Sequence, residues 1–135
     1  MSSVYVVWFL EQPSTPSREY NWSLFVAPTD SVLGNKYGIN LVEQTLGPTG
    51  PLPAYWRRDY FTDCGLFTFP DLGGALVLGE TREIPMLRQA ILETRPPTSL
   101  TESSQRWVKK VVELAIEKKA LPSTAIEILD RVPVA

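Results

Sequence analysis

The sequence predicts an α+β fold, an antiparallel sheet of four to six strands packed against two or three helices. In the first half, apolar residues come in short runs rich in Val, Tyr, Trp and Phe, broken by Pro and Gly turns. In the second half they recur at helical spacing. No internal repeat or low-complexity tract interrupts this division, and 135 residues suit one domain, 1–135.

The strands follow in order. Residues 3–10 form an apolar run. It is too short to span a bilayer, lacks a basic n-region, and ends in Glu11-Gln12-Pro13 rather than a small-residue cleavage site. It reads as a buried strand, and the chain as a soluble, cytoplasmic protein. A turn is expected over Pro13-Ser14-Thr15-Pro16-Ser17, then a strand from Tyr20 to Ala27, closed by Pro28-Thr29-Asp30. A third strand spans Asn35 to Val42. Gln44 to Arg58, with Gly47, Pro48, Gly50, Pro51 and Pro53, reads as a long loop. Tyr60-Phe61 and Gly65 to Phe69 read as a strand pair, the segment from Pro70 to Gly74 as a turn, and Ala75 to Gly79 as the last strand.

The helices begin at Glu83. Ile84, Leu87, Ala90 and Ile91 keep helical spacing to Thr94, and Pro85 is tolerable in the first turn. Arg95-Pro96-Pro97 ends this helix. Ser99 with Glu102 matches a capping box for a second helix reaching about Leu121, with Trp107, Val111, Leu114 and Ala115 as its apolar stripe. Its lysines and glutamates read as a solvated face. Pro122 opens a short last helix that packs through Ala125, Ile126 and Leu129.

Composition excludes several functions. There is no histidine, so Ser-His and Cys-His catalysis and histidine-ligated metal sites are ruled out. No calcium loop, phosphate loop or dinucleotide fingerprint is present, and no metal or other cofactor is expected. A net charge of -2 gives no basic excess for nucleic acid. The lone Cys64, beside Asp63, reads as structural. The expected partners are a small-molecule substrate and at most a second copy in a homodimer, with neither nucleic acid nor membrane.

Two segments carry the functional signal. Tyr20-Asn21-Trp22-Ser23-Leu24-Phe25-Val26 opens a strand, and Ser103-Ser104-Gln105-Arg106-Trp107-Val108 opens a helix. If that helix packs across the strand, Asn21 and Ser104 could face each other. Together the segments resemble the permuted papain-like superfamily, the NlpC-type fold that includes lecithin retinol acyltransferase, in its small fungal form. There a strand opens His-Trp-Ala and a later helix opens Asn-Cys-Gln/Glu. The resemblance puts the family's histidine on Asn21, its cysteine on Ser104, the asparagine before the cysteine on Ser103, and the second polar residue, on the next strand, on Gly38.

With both dyad residues replaced, the resemblance implies that hydrolysis or acyl transfer is lost while a pocket remains. The leading expectation is a tailoring enzyme of fungal secondary metabolism, a cofactor-independent cyclase, isomerase or dehydratase of natural-product biosynthesis. The alternative is a pseudoenzyme that binds a small molecule or protein. A third reading, residual hydrolysis through Ser104, lacks an imidazole base.

For the enzyme reading, Asn21 and Ser104 are hydrogen-bond donors, Tyr20 or Tyr37 the acid, and Asp59 or Glu43 the base. Trp22 and Trp107 line the pocket or simply fill the core. Trp56-Arg57-Arg58-Asp59-Tyr60 either clamps an anionic, planar ligand or forms a surface loop with a local Arg-Asp pair.

Overall fold

The computed structural model describes residues 1–10, 19–42 and 45–135. The turn expected at Pro13–Ser17, and Glu43, lie outside the described residues. The fold is α+β. Strands β1 (Ser2–Phe9), β2 (Asn21–Pro28), β3 (Leu33–Val42), β6 (Tyr55–Gly65) and β7 (Leu72–Thr81) form an antiparallel sheet in the order β6-β3-β2-β1-β7. β4 (Thr45–Gly47) and β5 (Gly50–Leu52) form a separate two-stranded hairpin. Helices α1 (Ile84–Glu93), α2 (Ser104–Glu117) and α3 (Ala125–Leu129) follow. None of the described helices is long and apolar enough to cross a membrane.

The two faces of the sheet separate by strand alternation. Val4, Val6, Trp22, Leu24, Val26, Ile39, Trp56 and Leu78 meet Leu87, Ala90 and Ile91 of α1 and Trp107, Val108, Val111 and Ala115 of α2. The other face carries a smaller apolar cluster of Val7, Phe9, Phe25, Ala27 and Leu66. β2 sits at the centre, and all its residues from Trp22 to Ala27 are buried. Indole N–H groups tie the helical layer in place. Trp107 Nε1 donates to the Thr94 carbonyl at 2.8 Å, and Trp56 Nε1 donates to the Ser99 carbonyl at 3.2 Å.

Several expectations are corrected. The segment read as a loop from Gln44 to Arg58 contains the β4–β5 hairpin and the first residues of β6. Its Gly and Pro residues mark the hairpin turn rather than a lack of structure, and β6 is held by a ladder to β3 that runs from Val42↔Tyr55 to Leu33↔Gly65. The strand expected at Gly65–Phe69 is instead a 3-10 turn, Leu66–Thr68, in which the Thr68 hydroxyl donates to the Gly65 carbonyl at 2.6 Å. α2 starts at Ser104, not after Ser99. Ser103 is its N-cap and accepts from the Arg106 amide, while Ser99 Oγ accepts from Thr101 N in a local turn. α2 ends at Glu117 rather than near Leu121.

Small residues set two close approaches. The Trp8 ring lies over Gly74, where a Cβ would come within 2.3 Å of Cζ2. On β3, a Cβ at Gly38 would meet Ser23 Oγ at 2.3 Å, so the serine hydroxyl fills the space a side chain would take. Gly38→Ala should therefore cost about 1–3 kcal/mol of stability. Adding Ser23→Ala should recover part of it, as read by urea unfolding midpoints. Equal destabilisation with and without Ser23→Ala would contradict this packing.

Candidate functional site

The β2–β3 ladder is paired from Val26↔Asn35 to Ser23↔Gly38, although β2 begins at Asn21 and β3 continues to Val42. Beyond Ser23 and Gly38 the two strands part. The N-terminus of α2 meets this opening from the helical side, where Ser104 Oγ accepts from the Trp22 backbone N–H at 3.0 Å. An amide at the end of a central strand, past its last pair with β3, is thus satisfied by a side chain.

Gln105, 4% exposed, continues the clamp. Its Nε2 donates to the carbonyls of Tyr20 at 3.0 Å and Val134 at 2.8 Å. Tyr20 N donates to the Val134 carbonyl at 2.8 Å and Trp22 Nε1 to that of Pro133 at 3.0 Å. Ser104 and Gln105 therefore join the entry of β2 to the C-terminal segment. Ser104 is buried, and among the described residues no acid or base hydrogen-bonds to its hydroxyl.

Asn21 turns the other way. Its Nδ2 donates to Asn40 Oδ1 at 3.4 Å, Asn40 Nδ2 donates to Asp59 Oδ2 at 2.8 Å, and Lys36 Nζ lies 3.4 Å from the same carboxylate oxygen. These four side chains form a polar chain across β2, β3 and β6 on the face without helices. Lys36 is 6% exposed, and its ammonium lies 5.0, 5.1 and 5.7 Å from the ring centroids of Phe9, Phe61 and Phe69. The ring faces and the Asp59 carboxylate together replace its lost water. Two further polar atoms on this face, Asn21 Oδ1 and Ser23 Oγ, are buried with no hydrogen-bond partner among the described residues. Such orphans are costly and rare in a closed core.

The expected site residues are divided by the sheet. Asn21 and Asp59 share the polar face. Ser104 reaches the opening from the helical side, and no hydrogen bond joins it to Asn21. Tyr37 points to the helical side, packed edge-on to Tyr60 with centroids 5.2 Å apart, and its hydroxyl accepts from Asn35. Tyr20 is half-buried beside the α2 clamp. Trp22 and Trp107 are fully enclosed core residues.

The run Trp56-Arg57-Arg58-Asp59-Tyr60 lies within a strand, not a loop, so its members alternate between faces. Trp56, Arg58 and Tyr60 lie on the helical side, and Arg57 and Asp59 on the other. They cannot converge as one clamp. Arg58 Nη2 donates to the Leu92 carbonyl at 2.8 Å, and Arg57 is exposed. Among the described residues, no three of Cys, Asp and Glu come together as metal ligands.

Sequence reasoning missed Lys36, Asn40 and Ser23. Gly38 lies across from Ser23, the last pair of the ladder, and two residues past that pair on each strand the side chains of Asn21 and Asn40 meet, so the polar partner of Asn21 is Asn40. Counting two residues along each strand from a known pair would have found it. The position of Lys36 offered one signal, a lysine between strand-forming residues. Comparison with known protein families, curated proteins and solved structures finds no match to this chain.

Two outcomes follow. Lys36→Met leaves the partly buried Asp59 carboxylate without its cation and should cost about 3 kcal/mol. Pairing it with Asp59→Asn should cost less than the sum of the two single changes, as measured by a double-mutant cycle of unfolding free energies. Separately, burial raises the Tyr60 phenol above its usual 10.0; the Arg58 charge opposes this and Tyr37 adds to it. A raised folded-state value means stability is whole below the unfolded pKa and is lost as pH climbs through the folded one. Unfolding midpoints should drop above pH 10, and Tyr60→Phe should flatten that drop.

Proposed function

We propose that this chain is a small-molecule tailoring enzyme, a cofactor-independent cyclase, isomerase or dehydratase built on a permuted papain-like frame whose nucleophile and base have been replaced. The proposed setting is the cytoplasm, in fungal secondary metabolism. The observation that carries the reading is the Asn21–Asn40–Asp59–Lys36 chain, a carboxylate fixed by an ammonium and an amide beside two orphaned polar atoms.

In this reading Asp59 removes a proton from one carbon of the substrate and returns it at another, or to a departing hydroxyl, so no oxidant or cofactor is consumed. Among the described residues the Asn21 and Asn40 amides each keep an N–H free, and these would hold the oxygen on which charge develops. Lys36 stabilises that charge from below without leaving its cage. Ser104 positions the opening rather than attacking the substrate. Arg57, exposed on the same face as Asp59, is placed to meet an acidic group at the rim.

The alternative, a binding module without chemistry, draws on two observations. Ser104 Oγ is committed to the Trp22 amide, and Asp59 already has two partners.

Deleting the gene and comparing small-molecule extracts by mass spectrometry should reveal one accumulating compound, which the purified protein converts to an isomer or dehydrated product. Asp59→Asn should slow that conversion by at least about 100-fold, the scale of a lost general base, while retaining binding. A compound that binds and is recovered unchanged would instead favour the binding module. An unaltered extract profile, with no conversion by the protein, would overturn the enzyme reading.

A further inference from the structure

On the helical side of β6, away from Asp59, an open cleft of about 650 Å³ lies between the start of the strand and the segment that follows α1. Its walls include Tyr55, Trp56, Arg58, Arg95, Pro96 and Pro97. Two guanidinium groups line it, and no acidic side chain does among the described residues, although the chain as a whole carries a net charge of -2. The nearby Glu93 carboxylate is occupied elsewhere, within 3.2 Å of Lys118 Nζ.

The cleft is built rather than incidental. Trp56 is 7% exposed, and its indole N–H is fixed on the Ser99 carbonyl, so the aromatic floor is rigid. Tyr55, the first residue of β6, borders the cleft at its rim. Pro96 and Pro97 form a wall with little conformational freedom. Arg58 gives one N–H to the Leu92 carbonyl in the last turn of α1. That contact sets the orientation of the guanidinium and offsets the negative end of the helix, which would otherwise repel an anion. Arg58 keeps donors unused, and Arg95 is exposed beside it.

We propose that this cleft binds a small planar carboxylate, with the acid held by Arg58 and Arg95 and the flat apolar body laid against Trp56 and the two prolines. Guanidinium forks match the two oxygens of a carboxylate, and aromatic and prolyl faces match a planar body. The site is independent of the polar chain around Asp59 and stands whether or not that chain performs chemistry.

The probes are 2-naphthoate and its uncharged analogue 2-naphthamide, titrated into the full chain by calorimetry and tryptophan fluorescence. 2-Naphthoate should bind saturably, and the amide at least about tenfold more weakly, because charge-assisted hydrogen bonds are lost. Arg95→Gln alters an exposed side chain and should weaken naphthoate binding about tenfold without changing the melting temperature. Arg58→Lys should weaken it similarly, and Arg131→Gln, remote from the cleft, should leave it unchanged. Failure of 2-naphthoate to saturate by about 10 mM, equal affinity for acid and amide, or naphthoate binding indifferent to Arg95→Gln would each overturn the proposal.

Discussion

Strand β2 has six consecutive buried side chains, Trp22 to Ala27, and so requires an apolar layer on each face of the sheet. The helices supply one layer through Leu87, Ile91, Trp107 and Val111. Phe9, Phe25 and Leu66 supply the other, with Phe69 packed against them. The second layer is thinner and is made from strands and one 3-10 turn. Where it ends, near Gly38, the outward positions become polar, and Asn40 and Asp59 take the places that phenyl rings hold further along, with Lys36 at the border among the rings of Phe9, Phe61 and Phe69. The candidate site is thus a consequence of where the apolar cover stops.

The same strand explains the α2 contact. β2 and β3 part beyond Ser23, which leaves the Trp22 amide without a ladder partner. Ser104 supplies the acceptor, and Gln105 ties Tyr20 and the C-terminal segment to the same place. A serine in this position does a structural job that needs no base nearby. A helix opening that resembles a nucleophile's setting is compatible with a residue whose hydroxyl only completes the hydrogen bonding of a strand.

The sheet also separates chemistry that the sequence runs together. Arg57, Arg58 and Asp59 are consecutive, yet a strand sends neighbours to opposite faces. Asp59 joins the polar chain, while Arg58 anchors the end of α1 and lines a different cleft. A carboxylate and a guanidinium one residue apart therefore serve two separate surfaces.

Local physics made much of the architecture legible in the sequence. β-branched and aromatic runs marked β1, β2 and β3, helical spacing marked α1 and the stripe of α2, and Pro85 fell in the first turn of α1 as its geometry allows. The α+β class follows from that division of periods. Of β6 only Tyr60-Phe61 was legible, because its first residues depend on pairing with β3 rather than on their own propensity. The missed members of the candidate site share that cause. Asn21, Asn40, Asp59 and Lys36 come from three strands, and only the register brings their side chains within hydrogen-bond reach. Sequence alone determined β1, β2, β3, α1 and the apolar stripe of α2, where the preferences are local. Tertiary structure decided which polar residues meet, since that depends on pairings between segments far apart in the chain.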